Sequence, residues 1–320
     1  MKTRTMLASL TLAAASLPLP ASAHAQQGIS PMEAPATPTP VESGRVTANG
    51  IDYYYATYGE GEPLLLLHGG LGLIEMFGPV LAALAEERRI IGVDLQGHGR
   101  TPLGNRPISL IDIADDLALI LDELGYQQVD VLGYSFGGGA GLRLAVQHPG
   151  KVRRLVVLSA PFARDGFFPE MLPQQAQVGA GMAEAMRDTP MYESYAAVAP
   201  DVSEFPRLLD AMGAYMRQPY DWREEVPTLA MPVMLVYGDS DMIRPEHIVE
   251  FYQLLGGGLK DAGWQRENMS PNRLAILPDL THYEIGLAPA LTRTVLPFLN
   301  GESGAASWAD QVQRERRPPD

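Results

Sequence analysis

Apolar residues along the chain fall into short continuous runs separated by stretches of helical spacing. Leu64–Leu67, Ile90–Val93, Val129–Leu132, Val152–Leu158 and Val233–Tyr237 are runs dominated by Leu, Ile and Val. Runs of that length and composition read as strands buried on both faces. Arg273–Leu277 reads as the last strand. Helical spacing fills the intervals at Pro79–Ala85, Leu110–Leu124, Ala140–His148, Glu246–Leu255 and Leu287–Leu299. Ser109 suits the N-cap of the second of these, with Asp112 in its first turn and Gly125 as its stop. Near the start, Val46–Ala48 and Ile51–Tyr58 flank Asn49-Gly50, the dipeptide favoured in a type I′ hairpin. Strands alternating with helices predict an α/β fold whose parallel sheet is covered on both faces.

Residues 163–228 break that rhythm. Prolines at 169, 173, 190, 200, 206, 219 and 227 separate short helical stretches, and no strand pattern occurs. Six methionines accompany Phe167, Phe168, Tyr192, Tyr195, Tyr215 and Trp222. Two compatible readings follow: a helical excursion packing its own small core, and a lid over the C-terminal edge of the sheet. Methionine adapts to irregular shapes, so such a lid would suit small to medium apolar groups. The core then comprises 45–162 and 229–300.

The two ends of the chain read differently. Lys2 and Arg4 precede the apolar run Met6–Leu19, and Ala21, Ala23 and Ala25 offer cleavage after Ala23 or Ala25. Residues 1–25 therefore read as a secretory signal, and the protein is expected in the periplasm or outside the cell. The run is short for a membrane span, and no later stretch is apolar for long enough. Residues 26–44, with prolines at 31, 35, 38 and 40, read as an extended linker. Residues 301–320 are polar and expected to fray.

Composition narrows the function. A chain of 320 residues that is 46% apolar holds one large domain or two modest ones. A net charge of −14 without a basic patch argues against a nucleic-acid partner, because phosphate binding needs clustered Lys and Arg. The absence of cysteine excludes disulfides and thiolate chemistry. A small-molecule substrate is the expected partner.

The chemistry gathers at Gly133-Tyr134-Ser135-Phe136-Gly137, which follows an apolar run and opens a helical stretch. A strand feeding G-x-S-x-G into a helix is the pattern that pushes a serine hydroxyl into the open on a strained turn. The serine needs a base, and histidine serves best near neutral pH when a carboxylate holds its tautomer. In a parallel sheet such groups collect beyond the strands' C-terminal ends. Asp241 and His282 both follow strands, in the chain order expected after this elbow. Asp239 is the rival acid. His148 and His247 lie on helices and read as solvated or capping, His24 lies in the signal, and His68 and His98 sit in glycine-flanked turns suited to holding backbone. Backbone N–H groups of Phe136 and Gly70 are the expected oxyanion donors.

Taken together, His68-Gly69-Gly70, Asp94-x-x-Gly97-His98-Gly99, Gly133–Gly137, Gly238-x-x-Asp241 and Thr281-His282 resemble the α/β-hydrolase superfamily, in its serine esterase, lactonase and cofactor-free haloperoxidase-like branch. The resemblance spans Tyr53 to about Asn300. It implies an eight-stranded, mostly parallel sheet with a helical lid between strands six and seven. It also implies a Ser135–Asp241–His282 triad, with Gly70 and Phe136 at the oxyanion hole and no cofactor. Serine at 135 departs from members with an aspartate nucleophile, which dehalogenate or open epoxides. The expected activity is hydrolysis of a carboxylic ester or lactone. Cleavage of a carbon–carbon bond or perhydrolysis on the same triad is the alternative among enzymes, and ligand binding without catalysis is the alternative outside them.

Overall fold

A computed structural model describes residues 38–302 and 307–315. Eight strands form a single sheet: β1 (Glu42–Ala48), β2 (Ile51–Tyr58), β3 (Pro63–Leu67), β4 (Arg89–Val93), β5 (Val129–Tyr134), β6 (Val152–Leu158), β7 (Val233–Ser240) and β8 (Arg273–Thr281). Their order is β1-β2-β4-β3-β5-β6-β7-β8. β2 runs antiparallel to both its neighbours, and every other pair is parallel. The helices are α1 (Pro79–Ala85), α2 (Leu110–Glu123), α3 (Phe136–Gln147), α4 (Met171–Ala176), α5 (Pro190–Val198), α6 (Phe205–Arg217), α7 (Pro245–Leu254), α8 (Pro289–Leu299) and α9 (Trp308–Glu315).

The continuous apolar runs have a direct cause. Successive strand residues point to opposite faces, so a strand covered on both sides is apolar at most positions. Leu65 and Leu67 join one buried cluster with Leu117 of α2, Leu142 of α3 and Phe251 of α7. Leu64 and Leu66 join the other with Leu84 of α1 and Val295 of α8. Asn49-Gly50 makes the expected hairpin turn, both residues at positive φ. Ser109 caps α2 by accepting the Asp112 N–H.

Several boundaries differ from the sequence reading. β1 begins at Glu42, so the linker expected over 26–44 overlaps the strand at residues 42–44, where Glu42, Ser43 and Gly44 face Thr57, Ala56 and Tyr55. This stretch carries no apolar signal because backbone pairing at the edge of the sheet needs no apolar side chain. The tail expected to fray contains α9, and Trp308 stacks on Trp264 with ring centroids 5.3 Å apart. α3 starts at Phe136 rather than Ala140, directly after the serine. The signal over 1–25 and most of the linker lie outside the described residues. Among those residues no helix is long and apolar enough to cross a membrane.

Between β6 and β7 the chain forms α4, α5, α6 and short 3-10 turns. Phe205, Leu208, Leu209 and Met212 of α6 are buried in the same cluster as α2 and α3. Tyr192 and Tyr195 of α5 pack their rings on Phe205 at 5.0 and 5.1 Å.

Candidate active site

Ser135 sits between β5 and α3 at φ 53°, ψ −114°, a backbone geometry that an L-residue rarely adopts. Neighbouring contacts hold it there. Its N–H donates to the Leu158 carbonyl at 2.8 Å, and its carbonyl accepts the Gly139 N–H at 3.0 Å. The flanking glycines are required by close approach. A Cβ on Gly133 would lie 2.2 Å from the Gly137 carbonyl oxygen, and one on Gly137 would lie 2.4 Å from that of Leu67.

The turn brings the serine to the other two predicted groups. Ser135 Oγ lies 3.0 Å from His282 Nε2. His282 Nδ1 lies 3.1 Å from Asp241 Oδ1. A carboxylate only accepts, so the Nδ1 proton belongs to the imidazole and leaves Nε2 free to accept from the serine hydroxyl. Asp241 directly follows β7 and His282 directly follows β8, each strand running further than its apolar run alone indicates. Asp239, the rival acid, is exposed and accepts from the Leu280 N–H at 3.4 Å.

Asp241 is buried, and burial by itself raises a carboxyl pKa. The His282 hydrogen bond and charge, the Ser159 hydroxyl and the Gly238 N–H outweigh that effect and hold the group below its ordinary value. Ser159 Oγ donates to Oδ2 at 2.5 Å, and the Met242 N–H donates to Oδ1 at 2.8 Å. Ser159 escapes the sequence reading, although a serine directly after an apolar strand run is its visible trace. Tyr134 is missed as well. Its hydroxyl donates to the His282 carbonyl at 2.6 Å, tying the residue before the serine to the loop that carries the imidazole.

Gly70 lies close to Phe136, whose Cβ is 3.8 Å from where a Gly70 Cβ would be. Phe136 is the first residue of α3, where a backbone N–H has no intrahelical partner. No hydrogen bond to another described residue occupies the Gly70 or Phe136 N–H. The loop bearing Gly70 is held by His68, whose Nε2 accepts the Leu95 N–H at 2.9 Å while Nδ1 donates to the Gly69 carbonyl at 2.8 Å. His98 donates from Nδ1 to the Gln96 carbonyl at 2.9 Å, and its ring stacks on Phe136 at 5.5 Å. Burial pushes His68 down to about 4, against its bond to the Gly69 carbonyl, and pushes His98 down to about 3 with help from His68. Both act as neutral backbone holders.

His247 departs from the expected solvated or capping role. It is buried, accepts the Phe162 N–H at 3.2 Å, and stacks on the Phe162 ring at 3.9 Å. A helix with one apolar face hides a histidine on that face as readily as it displays one. His148 follows the expectation at the end of α3, its Nε2 2.8 Å from Asp115. Among the described residues no group of three His, Cys, Asp or Glu side chains is arranged to hold a metal ion.

Known proteins share this chain's pattern. The family described as having the alpha/beta hydrolase fold matches residues 62–190. The pimeloyl-[acyl-carrier protein] methyl ester esterase of Neisseria meningitidis serogroup B is 32% identical over 207 residues, covering 58% of this chain and 77% of the relative. A thermophilic esterase from Thermogutta terrifontis superposes with a TM-score of 0.63 at 21% identity, covering 81% of this chain and 98% of the other. An enol-lactonase from Burkholderia xenovorans LB400 superposes with a TM-score of 0.60 at 22% identity, covering 80% of this chain and 100% of the other.

Proposed function

The chain belongs to the α/β-hydrolase superfamily, and we propose that it is a serine hydrolase of carboxylic esters or lactones. The observation that carries the proposal is the continuous path from Ser135 through His282 to Asp241 at hydrogen-bond distances of 3.0 and 3.1 Å. In this reading His282 Nε2 takes the serine proton as Oγ attacks the carbonyl carbon. The negative charge that develops on the carbonyl oxygen is met by the N–H groups of Gly70 and Phe136. Collapse of the tetrahedral species releases the alcohol, which receives the proton from His282, and Ser135 keeps the acyl group. Water then attacks that acyl-serine, with His282 again taking a proton, and the acid departs. Asp241 keeps the imidazole in the tautomer both half-reactions need. The helices between β6 and β7 act as the lid over this site.

The esterase relative from Neisseria meningitidis supports ester chemistry, and the serine mechanism stands on the geometry above. Ser135→Ala is the direct test. It removes the nucleophile at a position whose backbone contacts remain, so hydrolysis of p-nitrophenyl butyrate should fall by about 10³-fold or more. The thermal melting curve should stay within a few degrees. Turnover at the parent rate in this variant overturns the assignment.

A further inference from the structure

We infer that the acyl part of the substrate carries a second oxygen, uncharged and able to accept a hydrogen bond, and that Tyr215 donates to it. The inference rests on the serine hydrolase reading and adds a substrate class to it.

The place of Tyr215 in the fold motivates this. α6 lies across the loop that bears Gly70: the Met212 methyl sits 3.0 Å from where a Gly70 Cβ would be. Tyr215 is three residues further along α6 and so shares that face of the helix. Its ring meets the Phe136 ring edge-on at 5.2 Å. Tyr215 therefore overhangs one of the two proposed oxyanion donors.

Its hydroxyl, like those of Tyr58 and Tyr220, has no hydrogen-bond partner among the described residues, and of these Tyr215 is the one whose ring packs on Phe136. Tyr53 donates to Asp116, Tyr55 to Glu42, Tyr134 to the His282 carbonyl, Tyr195 to the Asp201 carbonyl and Tyr237 to the Ala160 carbonyl. Tyrosines packed in a protein interior ordinarily find such partners. The Tyr215 hydroxyl has none among the described residues, although the ring is half-buried and its immediate neighbours, Met212 and Phe136, are apolar. Burial alone raises its pKa, with no ionised group contributing, so the phenol is neutral and donates. A carboxylate or phosphate on the substrate would find no compensating cation in that influence, whereas a ketone, hydroxyl or ether oxygen needs none.

The chemistry of the proposed reaction assigns the Tyr215 wall to the acyl group. The leaving oxygen must lie beside His282 Nε2 to receive its proton, and the carbonyl oxygen must face Gly70 and Phe136. The remaining substituent on the carbonyl carbon is the acyl chain. The side next to His282 is open, since Tyr283 is 69% exposed and Leu287 44% exposed. The wall of Phe136, Met212 and Tyr215 is enclosed by comparison, and its one polar atom is the phenol.

The test compares p-nitrophenyl hexanoate with its 4-oxo and 5-oxo counterparts, each kcat/KM divided by the rate of hydroxide-catalysed hydrolysis of the same ester. The parent protein should prefer at least one oxo ester by roughly tenfold, the worth of one well-made hydrogen bond. In Tyr215→Phe the same ratio should fall toward one. The readout is a ratio within each protein, so a general loss of activity does not imitate the result. A ratio near one in the parent protein, or an undiminished ratio in Tyr215→Phe, overturns the inference while leaving the serine reading intact. Failure to turn over all three esters, or turnover by Ser135→Ala, removes the serine reading and this inference with it.

Discussion

Two buried carboxylates at opposite ends of the sheet, Asp130 and Asp241, are stabilised in opposite ways. At the N-terminal ends of the strands, Asp130 of β5 is fully buried among guanidinium groups. Arg88 pairs with it from before β4, and Arg153 of β6 grips it with two hydrogen bonds of 2.9 Å. The guanidinium is a permanent cation that only donates, so it serves to hold the carboxylate in place. At the C-terminal ends, Asp241 is almost as buried but has no arginine. A serine hydroxyl, two backbone N–H groups and the His282 imidazole surround it. Removing a charge from water demands compensation at both ends. A permanent cation provides it in a form that can only hold structure. Neutral donors and one imidazole provide it in a form that can also pass a proton.

Substituting asparagine at each position sets the two ends directly against one another. Asp241→Asn keeps the shape but presents an amide to His282 Nδ1, which favours the wrong imidazole tautomer. Ester turnover should fall by about 10⁴-fold, with little change in the urea midpoint. Asp130→Asn leaves Arg88, whose side chain is 3% exposed, without its counter-charge. That variant should lose about 3–5 kcal/mol of stability, while its folded fraction keeps its turnover within roughly twofold. If both variants lose activity and stability alike, the division of labour between the ends does not exist.

Acid should find the same division. His68, His98 and His247 are buried, and burial pushes them down to about 4, 3 and 4. All three serve the C-terminal end, by holding the turns after β3 and β4 and the chain after β6. In the unfolded chain each would protonate near pH 6.5, so below that value the unfolded state binds more protons and stability falls. The loss begins near pH 6.5 and continues until the folded-state values are reached. For three such groups it amounts to about 2 kcal/mol between pH 7 and pH 6. The depressed carboxyl of Asp241 acts in a lower window: its contribution is present above the ordinary aspartate range and disappears as pH falls through its folded value. Urea titrations at pH 7 and pH 6 measure the histidine part. Hydrogen exchange should show the amides of Leu95 and Phe162, each donated to one of these imidazoles, opening before those around Asp130. A midpoint that does not move between the two pH values contradicts the assignment of all three as buried neutral groups.

What the sequence reveals divides along a related line. The strands are legible because burial on both faces selects runs of apolar residues, and the order of Ser135, Asp241 and His282 is legible because all three follow strand runs. The start of β1 at Glu42 is hidden because an edge strand can be held by backbone pairing alone. The burial of His247 is hidden because it depends on Phe162, 85 residues away. The contact of Met212 and Tyr215 with the Gly70–Phe136 strip is hidden for the same reason, since nothing in the helical spacing of α6 says which part of the sheet it crosses. Local pattern marks where a group is placed along a strand, and the partners that tune it come from elsewhere in the chain.

Ser159 is the finest probe of the C-terminal arrangement, because it supports Asp241 without touching His282 or Ser135. Its backbone lies at φ 52°, and its N–H donates to the Val236 carbonyl at 2.9 Å. A non-glycine residue held in this region is strained, and here the strain aims the hydroxyl at Asp241 Oδ2. Without that hydroxyl, Oδ2 keeps only the Gly238 N–H at 3.3 Å. The carboxylate should then point less steadily at the imidazole, and kcat should fall by roughly tenfold while KM stays put. Alanine and glycine separate this effect from the strain: Ser159→Gly relaxes the backbone and Ser159→Ala does not, yet both remove the hydroxyl. Ser159→Gly should therefore be the more stable variant, with the same loss of kcat. A glycine variant that turns over ester at the parent rate shows that the hydroxyl does not position Asp241, and that the amides and the imidazole suffice to hold it.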